Sequence, residues 1–147
     1  MANSVYSPRR KTLLRLVFLF ALLLLAIILI RAFLDKKPDL NSLDGRQAYL
    51  RELGWEIDPE SEEHKTVRIP TSMDGIIADY NDIQLAQGCD LSGHLGETCE
   101  QYSYTVTNYP DKSQTVLLTL YVQKGEMIAG DVHSTALDGF MQGLKQE

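Results

Sequence analysis

The amino-acid sequence predicts an α+β protein in which an N-terminal transmembrane helix precedes one small folded domain. Three observations support this class. A long apolar run lies near the N-terminus, several short stretches alternate apolar and polar residues, and other stretches repeat apolar residues at helical spacing. We expect an antiparallel sheet, made of a three-strand meander and a short hairpin, with two to three helices on one face.

The apolar run sets the organisation of the chain. Residues 16–30 carry no polar side chain, and the 22 residues 13–34 contain only Arg15 and Arg31 as charges. A helix of that length spans about 33 Å, which matches the hydrocarbon core of a bilayer. A cleaved secretory signal has a similar pattern, but no small-residue cleavage site follows Ile30. We therefore predict an uncleaved transmembrane helix over residues 13–34.

Flanking charge predicts the orientation of this helix. Four basic residues precede the run and three follow it, where two aspartates dilute them. Basic residues favour the cytoplasmic side. We expect residues 1–12 to form a cytoplasmic basic tail, residues 35–41 a tether, and residues 42–147 an extracytoplasmic domain.

The domain is small and acidic. Its 106 residues suffice for one hydrophobic core and not for two. Seven basic and 18 acidic residues follow Asn41, which leaves a formal charge of −11. Nucleic acid and anionic lipid surfaces both need a basic footprint. The composition therefore excludes both as partners of the domain.

The first half of the domain predicts two helices around a hairpin. Residues 42–53 form a helix capped by Ser42 or Asn41 and ended by Gly54. Strands at 55–58 and 65–69 flank an acidic turn and give the short hairpin. A second helix follows Thr71 or Ser72 and ends at Gly88, with an apolar stripe formed by Met73, Ile76, Ile77, Tyr80 and Ile83.

The second half predicts the meander. Residues 100–107, 115–123 and 126–133 form three strands, and Lys124-Gly125 supplies the tight turn between the last two. A short closing helix is predicted over residues 137–144. Tyrosines concentrate in the meander, and we expect most of them to lie in the core.

The two cysteines suggest a disulfide. Cys89 and Cys99 flank a loop of 11 residues, and an extracytoplasmic domain permits a bridge. Closing such a loop stabilises a domain by roughly 2.5–3 kcal/mol when the bridge is unstrained. Two buried thiols are the alternative. The spacing excludes a Cys-x-x-Cys redox site.

The histidines offer a candidate metal site. Asp131 and His133 lie two residues apart on a predicted strand, so both point to one face. His94, in the preceding loop, could complete a set of two nitrogens and one oxygen. The alternative is a hydrogen-bonded or exposed His133 with no ligand role. The sequence shows no nucleophile elbow, calcium loop or phosphate loop, so we assign no catalytic residue and no cofactor.

Several short motifs resemble a bacterial family. They include Gly54-Trp55-Glu56, Val67-Arg68-Ile69-Pro70, Tyr102-Ser103-Tyr104, Asn108-Tyr109-Pro110 and the stretch from Gly130 to Met141. Over residues 46–144 the chain resembles the domain-of-unknown-function family numbered 4830. The resemblance implies a membrane-anchored exported protein of Gram-positive bacteria. It implies no activity and assigns no functional residue.

Two functional hypotheses follow. The first is a single-pass, membrane-anchored binding or regulatory module at the cell envelope, without catalysis. Its partners would be membrane lipid, through the N-terminal helix, and an envelope or membrane protein. The second is a metal-dependent enzyme or metal-sensing domain built on Asp131, His133 and His94, which requires the three side chains to converge.

Overall fold

The computed structural model describes residues 8–34 and 37–145. They divide into two compact units, one ending at Lys37 and the other beginning at Pro38. The predicted fold class is confirmed, since an apolar N-terminal helix precedes a unit with a five-stranded antiparallel sheet and two α-helices. Residues 1–7 of the predicted tail and residues 35–36 of the predicted tether lie outside the described residues.

The first unit is the helix α1, Pro8–Leu34. Proline suits the first position of a helix, because the N–H group that it lacks has no intrahelical partner there. The helix contains the predicted segment 13–34 and begins five residues before it. Within it, Thr12–Arg31 is long and apolar enough to cross a membrane, and its side chains are exposed throughout.

The second unit is a meander with helical additions. The five strands lie in the order β1-β2-β3-β4-β5, and every neighbouring pair is antiparallel. Lys124 and Gly125 both have positive φ, which confirms the predicted tight turn between β3 and β4. The elements are α2 (Leu43–Glu52), β1 (Ile57–Arg68), α3 (Ile76–Ala86), a 3₁₀ turn (Leu91–His94), β2 (Thr98–Val106), β3 (Val116–Gln123), β4 (Glu126–Ser134) and β5 (Met141–Gln142).

One side of the sheet, which we name the front face, carries the main core. Leu50 of helix α2 and Trp55, just beyond its end, cover this face. Ser42 caps the helix as predicted by accepting a bond from the Gly45 N–H. The indole N–H of Trp55 donates to the carbonyl of Leu144 and so ties the end of the chain to this core. The strands contribute Tyr102, Tyr104, Val116, Leu118, Leu120, Val122 and Val132, all buried.

A buried charge lies within the front face. The guanidinium of Arg46, in α2, stacks 3.7 Å from the ring centroid of Tyr102 and donates to the Tyr104 hydroxyl and to Glu62. Tyr104 in turn donates to the same carboxylate. Burial alone would lower the pKa of Arg46, but the bonds to Glu62 and Tyr104 outweigh it and raise that pKa. The three side chains therefore satisfy one another beneath α2.

The opposite side, the back face, carries a second and smaller core. Its buried members are Cys99, Ala129 and Ile128 on the strands, with Ile69 and Leu91 beside them. Tyr80 of α3 packs edge-on against Tyr121 of β3 here. The helices therefore lie on opposite faces and not on one face as predicted. The reason is that both faces of β2, β3 and β4 bear apolar residues that need cover.

The predicted short hairpin is wrong. Residues 57–68 form one strand, in which residues 59–62 bulge opposite Tyr104. The Asp58 carboxylate accepts from the Glu60 N–H, and the Ser61 hydroxyl accepts from the Thr105 N–H. The acidic stretch that suggested a turn therefore forms a bulge whose backbone is tied back to β2.

The predicted closing helix over residues 137–144 is also wrong. The segment forms a loop and the two-residue strand β5, which pairs with Val132 and His133, and Leu137 is fully exposed. Two glycines, Gly139 and Gly143, weaken a helix here. The free edge of β4 meanwhile offers hydrogen-bonding groups that an extended chain can pair with.

Candidate functional site

Helix α3 holds the end of the chain against β4 through polar side chains. Gln84 and Gln87 are buried, and the Gly130 N–H donates to the Gln84 side chain while the Gly130 carbonyl accepts from Gln87. Gln87 also accepts from the N–H of Leu144. The side-chain amides of Gln84 and Gln87 therefore satisfy the backbone groups of Gly130 that a neighbouring strand would otherwise pair with. A Cβ at Gly130 would lie 2.7 Å from Leu144, so only glycine fits there.

This arrangement corrects the predicted stripe on α3. The helix begins at Ile76, after Gly75 at φ +51°, and not directly after Thr71 or Ser72. Its fully buried side is polar, whereas Ile76 is 83% exposed. The apolar periodicity identified the helix but not the side that faces the sheet.

Asp131 and His133 come together, as the strand spacing predicts. Asp131 is only 3% exposed, and its two carboxylate oxygens bond separately to the His133 Nδ1 at 2.6 Å and to the Tyr80 hydroxyl at 2.7 Å. Burial, followed by the charge of Asp131, raises the pKa of Tyr80, so its hydroxyl stays protonated and donates to the carboxylate. The same causes raise the pKa of Tyr121 to about 12. The aspartate thus orients both a histidine and a tyrosine.

His94 does not join this group. Its Nδ1 lies 3.2 Å from Glu97 and 3.1 Å from the amide oxygen of Gln123, at one end of β3. His133 pairs with Leu117, six residues away along that strand, which places the two histidines about 20 Å apart. In the described part of the chain, no three histidine, cysteine or acidic side chains gather as a metal site.

Cys89 and Cys99 are free thiols in this structure and not the bridge that the sequence suggested. Cys99 is buried in the back-face core, and Cys89 is half-buried beyond the end of α3. Burial raises the pKa of both thiols. Both are therefore protonated at neutral pH and are poor nucleophiles.

An apolar cavity opens beside the Tyr80 network, and we name it the back-face groove. It has a volume of about 200 Å³ and lies where α3, the 3₁₀ turn and the end of β1 meet β2 and β3. Its wall on α3 is formed by Ile77 and Tyr80. The remaining lining residues are Val67, Arg68, Ile69, Pro70, Leu91, Gln101 and Tyr121.

Two basic residues of β1 lie near this groove, on different faces of the sheet. The Nε of Arg68 donates to the Gly96 carbonyl at 2.9 Å, and Arg68 pairs with Thr98 across the strands. The adjacent pair, Val67 and Cys99, lies in the back-face core, so strand alternation directs the Arg68 side chain to the front face. Lys65 lies on the back face, where its cross-strand partner is Gln101, a lining residue.

Sequence reasoning missed both the groove and the role of Tyr80. Tyr80 was predicted as a member of an apolar stripe, and Arg68 as an ordinary strand residue. The sequence held one usable signal for the groove, since Val67 and Ile69 alternate at the end of a strand that precedes a helix. The tyrosines were predicted correctly as core, because Tyr102 and Tyr104 are buried.

The chain matches no family model, no curated protein and no solved structure. The family resemblance described above stays a prediction.

Proposed function

We propose that this protein is a single-pass membrane protein whose folded domain lies outside the cytoplasm and acts by binding another molecule at the cell envelope. It is a binding or regulatory module and not an enzyme. The observation that carries the proposal is the back-face groove, an apolar cavity whose lining includes the polar side chains of Tyr80 and Gln101. Apolar cavities with a few placed polar groups are the usual form of a binding site.

The state of the acid–base groups favours binding over catalysis. Asp131 is occupied by Tyr80 and His133, and Glu62 is occupied by Arg46 and Tyr104. Burial keeps both thiols protonated. A hydrolytic site needs a nucleophile within reach of its base. The bond between Asp131 and Tyr80 instead fixes one wall of the back-face groove.

The proposed location is supported by α1 and by the flanking charges. A helix that can cross a membrane precedes the domain, and its basic flank is stronger on the N-terminal side. Placement in the envelope of Gram-positive bacteria rests on the family resemblance. The acidic charge of the domain suits an exposed, soluble position away from anionic lipid.

Labelling of intact cells tests the topology. A membrane-impermeant maleimide should modify Lys112→Cys, in the exposed β2–β3 loop, and should not modify Ser4→Cys until the cells are opened. The protein without either substitution measures background labelling of Cys89. Labelling of Ser4→Cys alone would overturn the orientation. A mature chain that lacks residues 1–34 would overturn the anchor.

A further inference from the structure

The two-residue strand β5 brings a methionine beside His133. Met141 is the cross-strand partner of His133 in the β4–β5 ladder. At the next position the Ser134 N–H donates to the Phe140 carbonyl, so Ser134 and Phe140 form a hydrogen-bonded pair. The two kinds of pair alternate along an antiparallel ladder, which makes His133 and Met141 a non-hydrogen-bonded pair. In such pairs the opposing side chains share one face and come closest, with Cβ atoms no more than about 5.5 Å apart.

Hydrogen bonding leaves one nitrogen of His133 ready to bind a metal ion. Its Nδ1 lies 2.6 Å from one carboxylate oxygen of Asp131, and the other oxygen accepts from Tyr80. A carboxylate can only accept, so Nδ1 carries the proton and Nε2 of the neutral ring keeps a lone pair. A histidine that binds a metal through one nitrogen usually donates its other N–H to a carboxylate. Asp131 therefore fixes the tautomer and the ring orientation that a metal ligand needs.

Both side chains of the pair are accessible on the back face. The side chain of His133 is 27% exposed, and Met141 is 49% exposed. On the other side of His133 lies its partner in β3, the partly buried Leu117. An ion can therefore reach the imidazole and the thioether from solvent without any movement of the sheet.

The types of ligand select the metal. A thioether is a soft ligand that selects Cu(I), and imidazole also suits copper. Calcium and magnesium need several oxygen ligands, and both oxygens of the nearest carboxylate, Asp131, are already bonded. Zinc sites are built from thiolate, imidazole and carboxylate and not from thioether. One imidazole with one thioether therefore fits Cu(I) best.

We propose that the Nε2 of His133 and the sulfur of Met141 bind one Cu(I) ion, with Asp131 orienting the imidazole from behind. Two ligands from the chain leave the remaining coordination positions of the ion open to solvent. Neither the back-face groove nor the membrane topology contributes to this site, so it goes beyond the proposed function and stands or fails separately from it.

NMR titration of the full chain in nanodiscs of neutral lipid tests the site. The probe is Ag(I), which is soft like Cu(I) but does not change its oxidation state. All samples carry Cys89→Ser and Cys99→Ala, because thiols would compete for the ion. The chain has four methionines, so labelled methyl groups give few signals, and Met141→Leu identifies that of Met141. We expect this signal and the His133 Nε2 resonance to shift together and to saturate at one equivalent. Cu(I), supplied without oxygen, should shift the same two signals.

Variants read through the remaining ligand locate the ion. Met141→Leu conserves the volume of the side chain, and the His133 resonance should then report an affinity at least tenfold lower. His133→Asn should lower the affinity by at least as much, as reported by the Met141 methyl group. Loss of a residue that merely orients a ligand already costs 10–100-fold in metal affinity, so loss of a ligand should cost no less. The matched controls, Met73→Leu and the exposed His64→Asn, should leave the affinity within twofold.

Four outcomes would overturn the proposal. They are saturation of another methionine signal before that of Met141, an unchanged affinity in Met141→Leu, an equal loss in His64→Asn and His133→Asn, and displacement of Ag(I) by an equal concentration of Zn²⁺. The last result would show that the thioether does not select the ion. None of them alters the maleimide result on intact cells, so failure of the copper site is distinguishable from failure of the proposed topology.

Discussion

The two faces of the sheet differ in how completely they are closed. On the front face, α2 covers a continuous apolar core, and the buried cation Arg46 has its partners inside the fold. On the back face, α3 covers only part of the sheet and leaves the back-face groove open. The difference indicates that the front face contributes most of the stability of the domain, and the open back face is the surface that the proposed binding function uses.

The largest expected effect is a loss of stability on the front face. Arg46→Ala removes the guanidinium that stacks on Tyr102 and donates to Tyr104 and Glu62, so Glu62 loses its cation and keeps only the bond from Tyr104. We expect the free energy of unfolding to fall by about 3 kcal/mol, since loss of one partner leaves a partly buried charge uncompensated. Urea denaturation measures it. Arg51→Ala, on the exposed side of the same helix, should change stability by less than about 0.5 kcal/mol, and equal losses would refute a special role for Arg46.

The next effect concerns Gln84 and Gln87, whose side chains bond to the backbone of Gly130 at the outer edge of β4. Gln87→Ala leaves the Gly130 carbonyl and the Leu144 N–H without partners in a buried environment. A loss of about 2 kcal/mol is expected, because each orphaned group carries a desolvation cost. The exposed Gln142 supplies the control, and Gln142→Ala should be nearly neutral. If Gln87→Ala left the free energy of unfolding unchanged, the hydrogen bonds of Gln87 to Gly130 and Leu144 would not contribute to stability.

A smaller effect is expected behind the groove. Tyr80→Phe removes the hydroxyl that donates to Asp131 but keeps the ring in the groove wall. Stability should fall by about 1 kcal/mol, the usual worth of one such bond, as measured by urea denaturation. An unchanged stability would show that the Asp131 carboxylate does not need the Tyr80 hydroxyl.

The smallest effect is a dependence on pH at the front face. Burial alone would raise the pKa of Glu62, but bonds from Tyr104 and Arg46 outweigh it and hold that pKa below 4.5, its ordinary value. The stability that this carboxylate contributes is therefore complete above about pH 4.5 and is lost as the pH falls through the lower, folded-state pKa. Glu62→Gln should flatten the acid limb of a plot of unfolding free energy against pH. Glu60→Gln, in the same bulge, should not.

The fold class and the meander could be predicted because alternation and turn residues are local signals. Lys124-Gly125 and the strand that contains Leu118 and Leu120 illustrate this. Local signals failed where long-range pairing decided the outcome. The segment around Leu137 carries an apolar helical stripe, yet it pairs with β4. The acidic stretch after Asp58 reads as a turn, yet bonds from residues distant in the sequence hold it as a bulge.

The candidate site was less predictable than the fold. The pairing of Asp131 with His133 follows from the period of a strand and could be foreseen. The approach of Tyr80, and the separation of His94 from His133, depend on how α3 and the 3₁₀ turn dock on the sheet. The groove lies between elements whose relative position no local pattern encodes.

The most direct test compares one apolar truncation on each face by urea denaturation of the full chain. Leu118→Ala, in the closed front-face core, should lower the free energy of unfolding by about 3 kcal/mol, because it leaves a sealed cavity. Ile77→Ala, in the wall of the open back-face groove, should lower it by about 1 kcal/mol or less, because that side chain is only partly buried. Equal losses in the two variants would contradict the account, because the back face would then be packed as completely as the front.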